Sequence, residues 1–393
     1  MTKKLQISFA FTAAFVLAAM LLTSIVFGEG GNRKIVTFDS AVNASAQDAL
    51  LKAHGAVKVK SLPSVNGAVV LLSSRAAERA LSGQAGVLRV ETDAVATTLA
   101  RSTASKGKPA PKQVLPWGVD RVDAEQVWPT SNSADPIKVA VVDTGISSTH
   151  SDLVANVKGG VNTITGGSWS DDNGHGSHVA GIIGALNNTI GVVGVAPLAD
   201  LYAVKVLSAS GSGYISDIIE GLQWAVANGM QVVNMSLGAS VDVQAFHDAI
   251  IATRNAGVTL VAAAGNSGGA VGYPAAYSEV IAVSATDSNN VLASFSSRGP
   301  EVDLTAPGVS IYSTYKGTAY KTLSGTSMAS PHVAGVVALV LNTPVGFYDT
   351  NLDGIWNPSE VQNKLQSTAS DLGTGGYDTL YGWGLVNAWA AVQ

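Results

Sequence analysis

The stretch Gly325-Thr326-Ser327-Met328-Ala329-Ser330-Pro331-His332 decides how this chain is read. A turn of small residues runs into an apolar segment, Val333 to Leu341, which the pattern predicts as a buried helix. Ser327 then stands at a helix start, where free N–H groups and the positive end of the dipole favour a developing anion. A lone serine there would read as an N-cap. Two other stretches weigh against that reading. Val139-Ala140-Val141-Val142-Asp143 is a β-branched strand ending on a carboxylate, followed by Thr144 and Gly145. Asn173-Gly174-His175-Gly176-Ser177-His178 carries a glycine-flanked histidine into a second helical segment. Aspartate, histidine, serine is one of the chain orders in which a nucleophilic serine triad is built.

Composition bounds the rest. The 393 residues are more than one domain usually holds, and with 47% hydrophobic residues, 42 glycines and only 13% charged residues they read as densely packed folded units. There is no cysteine, which excludes disulfides, thiolate catalysis and cysteine metal sites. Residues 1–99 carry 10 Lys+Arg against 6 Asp+Glu, net +4, and residues 100–393 carry 13 against 22, net −9. An acidic main body argues against nucleic acid as a partner.

Lys3 and Lys4 precede an apolar run from Ile7 to Phe27, the pattern of a secretory signal peptide over residues 1–28. The run is also long enough to span a bilayer, so an uncleaved anchor is the alternative. From Lys34 to Glu91 the pattern predicts strands at 34–38, 57–60, 68–72 and 87–91 with helices at 44–54 and 75–81. This β-α-β-β-α-β order is ferredoxin-like. Residues 100–112 are a polar linker rich in Pro and Ser. Beyond it, near-continuous apolar strands at 138–143, 201–207, 231–237, 258–264 and 280–285 alternate with helices at 177–186, 215–228 and 242–256. Strands buried on both faces and separated by helices predict an α/β, doubly wound, mostly parallel sheet. Sites in such sheets lie at the carboxyl ends of strands, where Asp143 and Asn266 both fall.

The three opening stretches resemble the subtilisin-like serine proteases, and the resemblance covers nearly the whole chain. It implies a calcium-stabilised, secreted serine endopeptidase, a monomer once processed, with polypeptide substrates and no membrane contact after processing. It also implies a ferredoxin-like propeptide, residues 33–99, acting as folding chaperone and intramolecular inhibitor, ahead of a catalytic domain over 113–393. Asp143, His175 and Ser327 take the triad roles, and Asn266 donates to the oxyanion beside the backbone N–H of Ser327. An extended substrate pairs with Gly211-Ser212-Gly213 and Ser236-Leu237-Gly238. The main specificity pocket is walled by Ala263, Ala264 and Gly265 and floored near Gly272, small residues that leave room for a large apolar side chain. Ser267 stands where some relatives have glutamate, so no strong preference for basic residues is expected. The tail Thr92–Leu99 matches the segment that lies in the family's cleft, which places self-cleavage between Leu99 and Ala100.

Of the six histidines, His54 falls in the propeptide, His150 and His247 read as ordinary surface or loop residues, and His178 and His332 as satisfied core residues. The resemblance places a calcium ion among Gln113, Asp152, Leu186, Asn188, Ile190 and Val192. A second calcium signal is independent of it. Asp349-Thr350-Asn351-Leu352-Asp353-Gly354, with Glu360 six residues on, fits D-x-[DN]-x-[DN]-G-x5-E. Asp349, Asn351 and Asp353 would supply side-chain oxygens, Ile355 its carbonyl and Glu360 a bidentate carboxylate. Two other classes were weighed. A lipase-type hydrolase lacks its G-x-S-x-G elbow here, and a binding protein on this fold would not need the full triad.

Overall fold

The computed structural model describes residues 32–102 and 111–393. The apolar run Ile7–Phe27 and linker residues 103–110 lie outside them. Among the described residues, no helix is long and apolar enough to cross a membrane.

The central sheet has seven strands, in the spatial order Leu304–Pro307, Ile281–Thr286, Thr259–Ala263, Val232–Met235, Lys138–Asp143, Asp200–Lys205 and Val157–Asn162. Every neighbouring pair is parallel. The expected strands are all present, within two residues of the sequence reading. Leu304–Pro307 and Val157–Asn162 had no place in that reading. Val157–Asn162 carries two glycines and a lysine and is only half buried, so it lacks the apolar run of an interior strand. The chain enters the sheet at Lys138–Asp143, builds outward on one side, then crosses to the other. The order therefore reverses beside Asp143, the switch point at which doubly wound sheets open a crevice.

The long helix Thr326–Leu341 is buried from Thr326 to Val340 and packs against the helix His175–Gly184 and the strands Thr259–Ala263 and Ile281–Thr286. It begins seven residues before the apolar segment, so Ser327 lies in its first turn. Pro331 sits inside it. Proline has no N–H for the carbonyl of Ser327 four residues back. That carbonyl accepts instead from Ser236 Oγ at 2.9 Å. Gly335 permits the close crossing, because a Cβ there would stand 2.6 Å from Val195 Cβ.

Residues 33–92 form a separate layer. Its antiparallel sheet runs Val57–Leu62, Gly67–Leu71, Arg33–Phe38, Val87–Thr92, with helices Ala44–Ala53 and Arg75–Ser82. This is the ferredoxin-like order the sequence predicts. Asn43 and Ser74 cap the two helices through their side chains. The unit has its own small core around Val36, Phe38, Leu51, Val70 and Leu81.

One buried histidine, His332, lies within the central helix, and another, His178, lies on the helix His175–Gly184 packed against it. His332 Nδ1 donates to the Met328 carbonyl at 2.7 Å, and burial pulls its pKa down to about 4. His178 meets the carbonyls of Ile311 and Lys321 through Nε2, and burial with the charge of His175 pulls it down to about 3. Each remains partnered on one ring nitrogen only, His332 Nε2 and His178 Nδ1 being buried without a partner. Both are neutral core residues. In the unfolded chain a histidine protonates near pH 6.5, so their contribution to stability is intact above that pH and is lost as the pH falls toward 4 and 3. Up to about 1.4 kcal/mol per pH unit goes with each histidine in that window. In a cleavage-dead Ser327→Ala background, urea titration at pH 7 and 4.5 should show His332→Gln losing at least about 1 kcal/mol less than its parent between the two pH values. Equal losses would remove His332 from the acid response.

Candidate active site

Asp143 ends its strand with its carboxylate turned to the helix His175–Gly184. His175 Nδ1 lies 2.8 and 2.9 Å from the two carboxylate oxygens, and Asp143 Oδ1 also accepts from the Thr144 N–H at 2.7 Å. Asp143 and Ser327 are fully buried and His175 is 3% exposed. The helix that carries His175 is set by Asp171. Its Oδ1 accepts from the N–H groups of Asn173 and Gly174, and its Oδ2 from the N–H and hydroxyl of Ser177. Thr144 Oγ1 donates to Asp171 and accepts from the Gly176 N–H, which ties the strand end to the helix start. Sequence reading missed Asp171. Its signal was there in Asp171-Asp172-Asn173-Gly174, an Asx turn directly ahead of the helix.

Ser327 Oγ donates to the Ser236 carbonyl at 2.9 Å and accepts from the Leu99 N–H at 3.1 Å. His175 Nε2 is buried and, among the described residues, has no hydrogen-bond partner. The hydroxyl therefore faces Ser236, and the imidazole nitrogen is left free.

The chain itself occupies the cleft. Val95–Thr98 is the middle strand of a three-stranded antiparallel sheet, between Ser212–Tyr214 and Leu237–Gly238. Ser212 faces Thr97, Gly213 faces Ala96, and Leu237 faces Thr98. The Thr98 N–H donates to the Gly211 carbonyl at 2.9 Å. Next in the chain, the Leu99 carbonyl oxygen accepts from Asn266 Nδ2 at 2.6 Å and from the Ser327 N–H at 3.4 Å. Asn266 Oδ1 takes the N–H and hydroxyl of Thr326, at 2.9 and 3.0 Å, which fixes which end of the amide faces Leu99. Gly325 is required by close approach, since a Cβ there would stand 2.4 Å from the Leu99 oxygen.

The Leu99 side chain packs over Gly238, whose hypothetical Cβ would lie 3.0 Å from Leu99 Cδ1. Behind it, the Gly272 N–H donates to the Ala264 carbonyl at 3.0 Å and the Gly265 N–H donates to Thr326 Oγ1 at 3.1 Å. Ala264, Gly265 and Gly272 thus lie together, just past Ala263 at the end of the strand Thr259–Ala263. Past Leu99 the chain runs on without a break, and Arg101 and Ser102 pair with Ser324 and Leu323 of the strand Tyr320–Ser324. Sequence reading did not include this second edge.

The remaining histidines divide. His247 is half-buried, stacks on Tyr277 at 4.1 Å and meets Glu279 at 2.9 Å. His150 corrects the expectation of a surface residue. It is fully buried, its Nε2 meets the Ala319 carbonyl at 3.0 Å, and its ring stands edge-on to Tyr320. Burial pulls its pKa down.

The first expected cation set comes together. The Asp152 carboxylate is fully buried and, among the described residues, has no cationic partner. It accepts from Asn188 Nδ2, the Val192 N–H and the Tyr320 hydroxyl, at 2.7, 2.8 and 3.0 Å. Burial, with the Asp152 charge, pushes the Tyr320 phenol well up. Gln113 Oε1 accepts from the Asn188 N–H at 2.5 Å, and the Leu186 N–H donates to the Asp152 carbonyl at 2.9 Å. A Cβ at Gly191 would come within 2.2 Å of both Asp152 Oδ2 and the Tyr320 hydroxyl, so the space there is kept open. One buried carboxylate among amide and carbonyl oxygens is a donor set that suits Ca²⁺.

The second loop is turned as its motif requires. Asp349 accepts from the N–H groups of Asp353 and Gly354, and Asp353 Oδ1 accepts from that of Ile355. Asn351 Nδ2 donates to Asp353 Oδ2 at 2.9 Å. Glu360 closes the loop from its far end. It forms a capping box with Asn357 on the helix Pro358–Thr368, and its other oxygen accepts from the N–H and hydroxyl of Thr350. Burial would raise its pKa, but these hydrogen bonds outweigh burial and hold it low. Among the described residues, no three His, Cys, Asp or Glu side chains converge as a metal group.

The N-terminal layer sits on two helix starts of the main domain. Glu91 accepts from the N–H groups of Gln244 and Ala245, and Asp93 from the N–H and hydroxyl of Ser216. Arg33 donates to Asp93 at 2.6 Å, and Lys60 to Asp217 at 2.6 Å and Glu220 at 2.7 Å. Arg89 pairs with Asp248.

Comparison with known proteins agrees with this geometry. Residues 134–384 match the subtilase family of peptidases. The chain is 42% identical over 394 residues to the alkaline protease of Shouchella clausii, covering 99% of this chain and 97% of that protein. It is 40% identical over 406 residues to subtilisin E of Bacillus subtilis strain 168, covering all of both chains. Over 283 residues, 72% of this chain and all of the relative, it is 50% identical to subtilisin Savinase of Lederbergia lenta. A buried Asp–His pair, a serine at a helix start and a match along the whole precursor length lead to one conclusion: the chain belongs to the subtilase family, as the precursor of a serine endopeptidase.

Proposed function

We propose that the protein is a secreted, calcium-stabilised endopeptidase that first cuts its own chain between Leu99 and Ala100 and prefers a large apolar residue before the scissile bond. The observation that carries this is the Leu99 carbonyl oxygen, 2.6 Å from Asn266 Nδ2, on a chain that continues through the cleft. In this reading Ser327 Oγ turns from Ser236 to His175 Nε2 and attacks the Leu99 carbonyl carbon. His175 takes the hydroxyl proton, and Asp143 holds the ring through Nδ1 and offsets its charge. The oxyanion is held by Asn266 Nδ2 and the Ser327 N–H. As the C–N bond breaks, His175 returns the proton to the amine of Ala100. Water then cleaves the acyl ester by the same route. The N-terminal layer, held by its caps on two helices, supports its role as inhibitor after the cut. The leader pattern of residues 1–28 supports secretion.

For calcium, Gln113, Asp152 and Asn188 would offer side-chain oxygens and Leu186, Ile190 and Val192 their carbonyls. A second structural ion would sit in the loop of Asp349, Asn351, Asp353, Ile355 and Glu360. When bound, the ions supply stability and no chemistry.

Three outcomes test this reading. A fluorophosphonate should label the wild type and not Ser327→Ala, and mass spectrometry of freshly folded wild type should give a first cut after Leu99. A first cut elsewhere counts against the cleft assignment. Asn266→Ala should lower turnover by about 100- to 1,000-fold, the loss known for this family's side-chain donor, with little change in apparent affinity. Asp349→Ala with Glu360→Ala should lower the melting temperature in calcium and leave low-temperature turnover nearly intact. An unchanged calcium count by calorimetry would remove that loop as a site.

A further inference from the structure

A recess of about 120 Å³ adjoins the scissile bond, lined by Thr98, Ala100, Asn173, His175, Tyr315, Lys321 and Leu323. The chain's own residues at its mouth, Thr98 and Ala100, are too small to fill it. The Lys321 ammonium stands over the Tyr315 ring, 4.7 Å from its centroid. The nearby carboxylates are already engaged: Asp172 pairs with Lys205 at 2.7 Å, and Asp171 accepts from Thr144 and Ser177. Among the described residues, Lys321 has no carboxylate partner. We propose that Lys321 gives the enzyme a preference for an acidic side chain beside the scissile bond, at the second residue before it or the first after it. A glutamate there is long enough to enter the recess, and its charge would meet the ammonium. The proposal rests on the endopeptidase reading. The test is kcat/KM on peptides with Glu, Gln or Lys at each of the two positions, for the mature enzyme and Lys321→Gln. Cleavage of the Gln peptides checks the endopeptidase reading separately. The Glu-to-Gln ratio should be about two to five at one or both positions, shrink with added salt and fall to about one in Lys321→Gln. A ratio of one or less at both positions, or one that survives in Lys321→Gln, overturns it.

A second inference comes from a different place. Residues 111–114 are already seated on the cation loop: the Gly191 N–H donates to the Pro111 carbonyl at 2.8 Å, the Gln113 N–H to Thr189 at 3.0 Å and the Val114 N–H to Gly191 at 2.9 Å. At the same time the uncut chain holds Leu99 against Asn266. Arg101 and Ser102 leave the cleft antiparallel to the strand Tyr320–Ser324, paired with Ser324 and Leu323. Their direction is toward Tyr320, whose hydroxyl donates to Asp152 of the loop. From Leu323 to Tyr320 is about 10 Å along a strand. The eight residues 103–110 reach up to about 30 Å, which is ample. We infer that the linker lets Gln113 dock on the loop before self-cleavage, so that completing the cation cage does not await the cut. Hydrogen exchange at the Gln113 and Val114 amides tests it in the uncut Ser327→Ala precursor, with His175→Ala as a second uncut protein. Protection should match that of the cleaved wild type. Deleting 103–110 in the uncut background should abolish it, because Ser102 and Pro111 would then be adjacent. Unprotected amides in both uncut proteins, or protection that survives the deletion, overturns the inference. Added calcium should deepen the protection. A calcium-insensitive but present protection would count against the metal reading alone.

Discussion

Everything at the site depends on one helix that enters the core at Ser327. Because Thr326–Leu341 is buried along almost its whole length, its first turn cannot face water and must find its partners in the protein. Asn266 takes the Thr326 N–H, Ser236 takes the carbonyl that Pro331 leaves free, and the Leu99 carbonyl takes the Ser327 N–H. The free N–H groups that every helix start presents have become the anion seat of a protease. Ser327 cannot shift without disturbing partners on three separate strand ends. That rigidity places the Ser327 N–H and the Asn266 amide together on one carbonyl oxygen.

Much of this was legible in the residues, and the reasons are physical. Parallel strands buried on both faces leave apolar runs, so five of the seven central strands showed plainly. The two that did not are at or near the sheet edges, and Val157–Asn162 is half exposed and glycine-bearing. Ser327 was read at the start of the central helix, but Pro331 and small residues hide the apolar pattern of its first turns. No propensity rule foresees Ser236 taking over the lost hydrogen bond. His150 reads as a loop residue because its neighbours are polar. Only the fold shows Tyr320 closing over it. Contacts between the two layers, such as Glu91 and Asp93 on the helix starts, join residues more than 120 positions apart and leave no local trace.

Those two carboxylates carry different weight from the ion pairs around them. Exposed pairs such as Lys58 with Asp48 contribute little, because water already solvates both partners. Asp93 is buried, and burial raises its pKa even though Ser216 and Arg33 hydrogen-bond to it. Its charge is kept by a helix N-terminus, a donor set that cannot rotate away. The same geometry makes the layer depend on its host, since Glu91 and Asp93 lose these donors when it departs. The N-terminal layer is therefore bound through backbone groups at two helix starts, with the ion pairs of Lys60 and Arg89 beside them.

The cleft reads backbone in the same way, so under the proposed function one groove would accept both the N-terminal tail and substrates. Val95–Thr98 takes its hydrogen bonds from strand edges that any extended peptide could use. What distinguishes the tail from a substrate lies outside the groove: the caps at Glu91 and Asp93 a few residues upstream tether it after Leu99 is released. Cutting the Leu99–Ala100 bond removes the prime-side pairing at Arg101 and Ser102 but leaves those caps untouched. Under the proposed function the product would therefore stay while the new N-terminus leaves. An external peptide has no second anchor, so after the same cut it keeps only four residues of edge pairing and dissociates. In that reading inhibition and turnover would differ by the tether and not by the chemistry of the site.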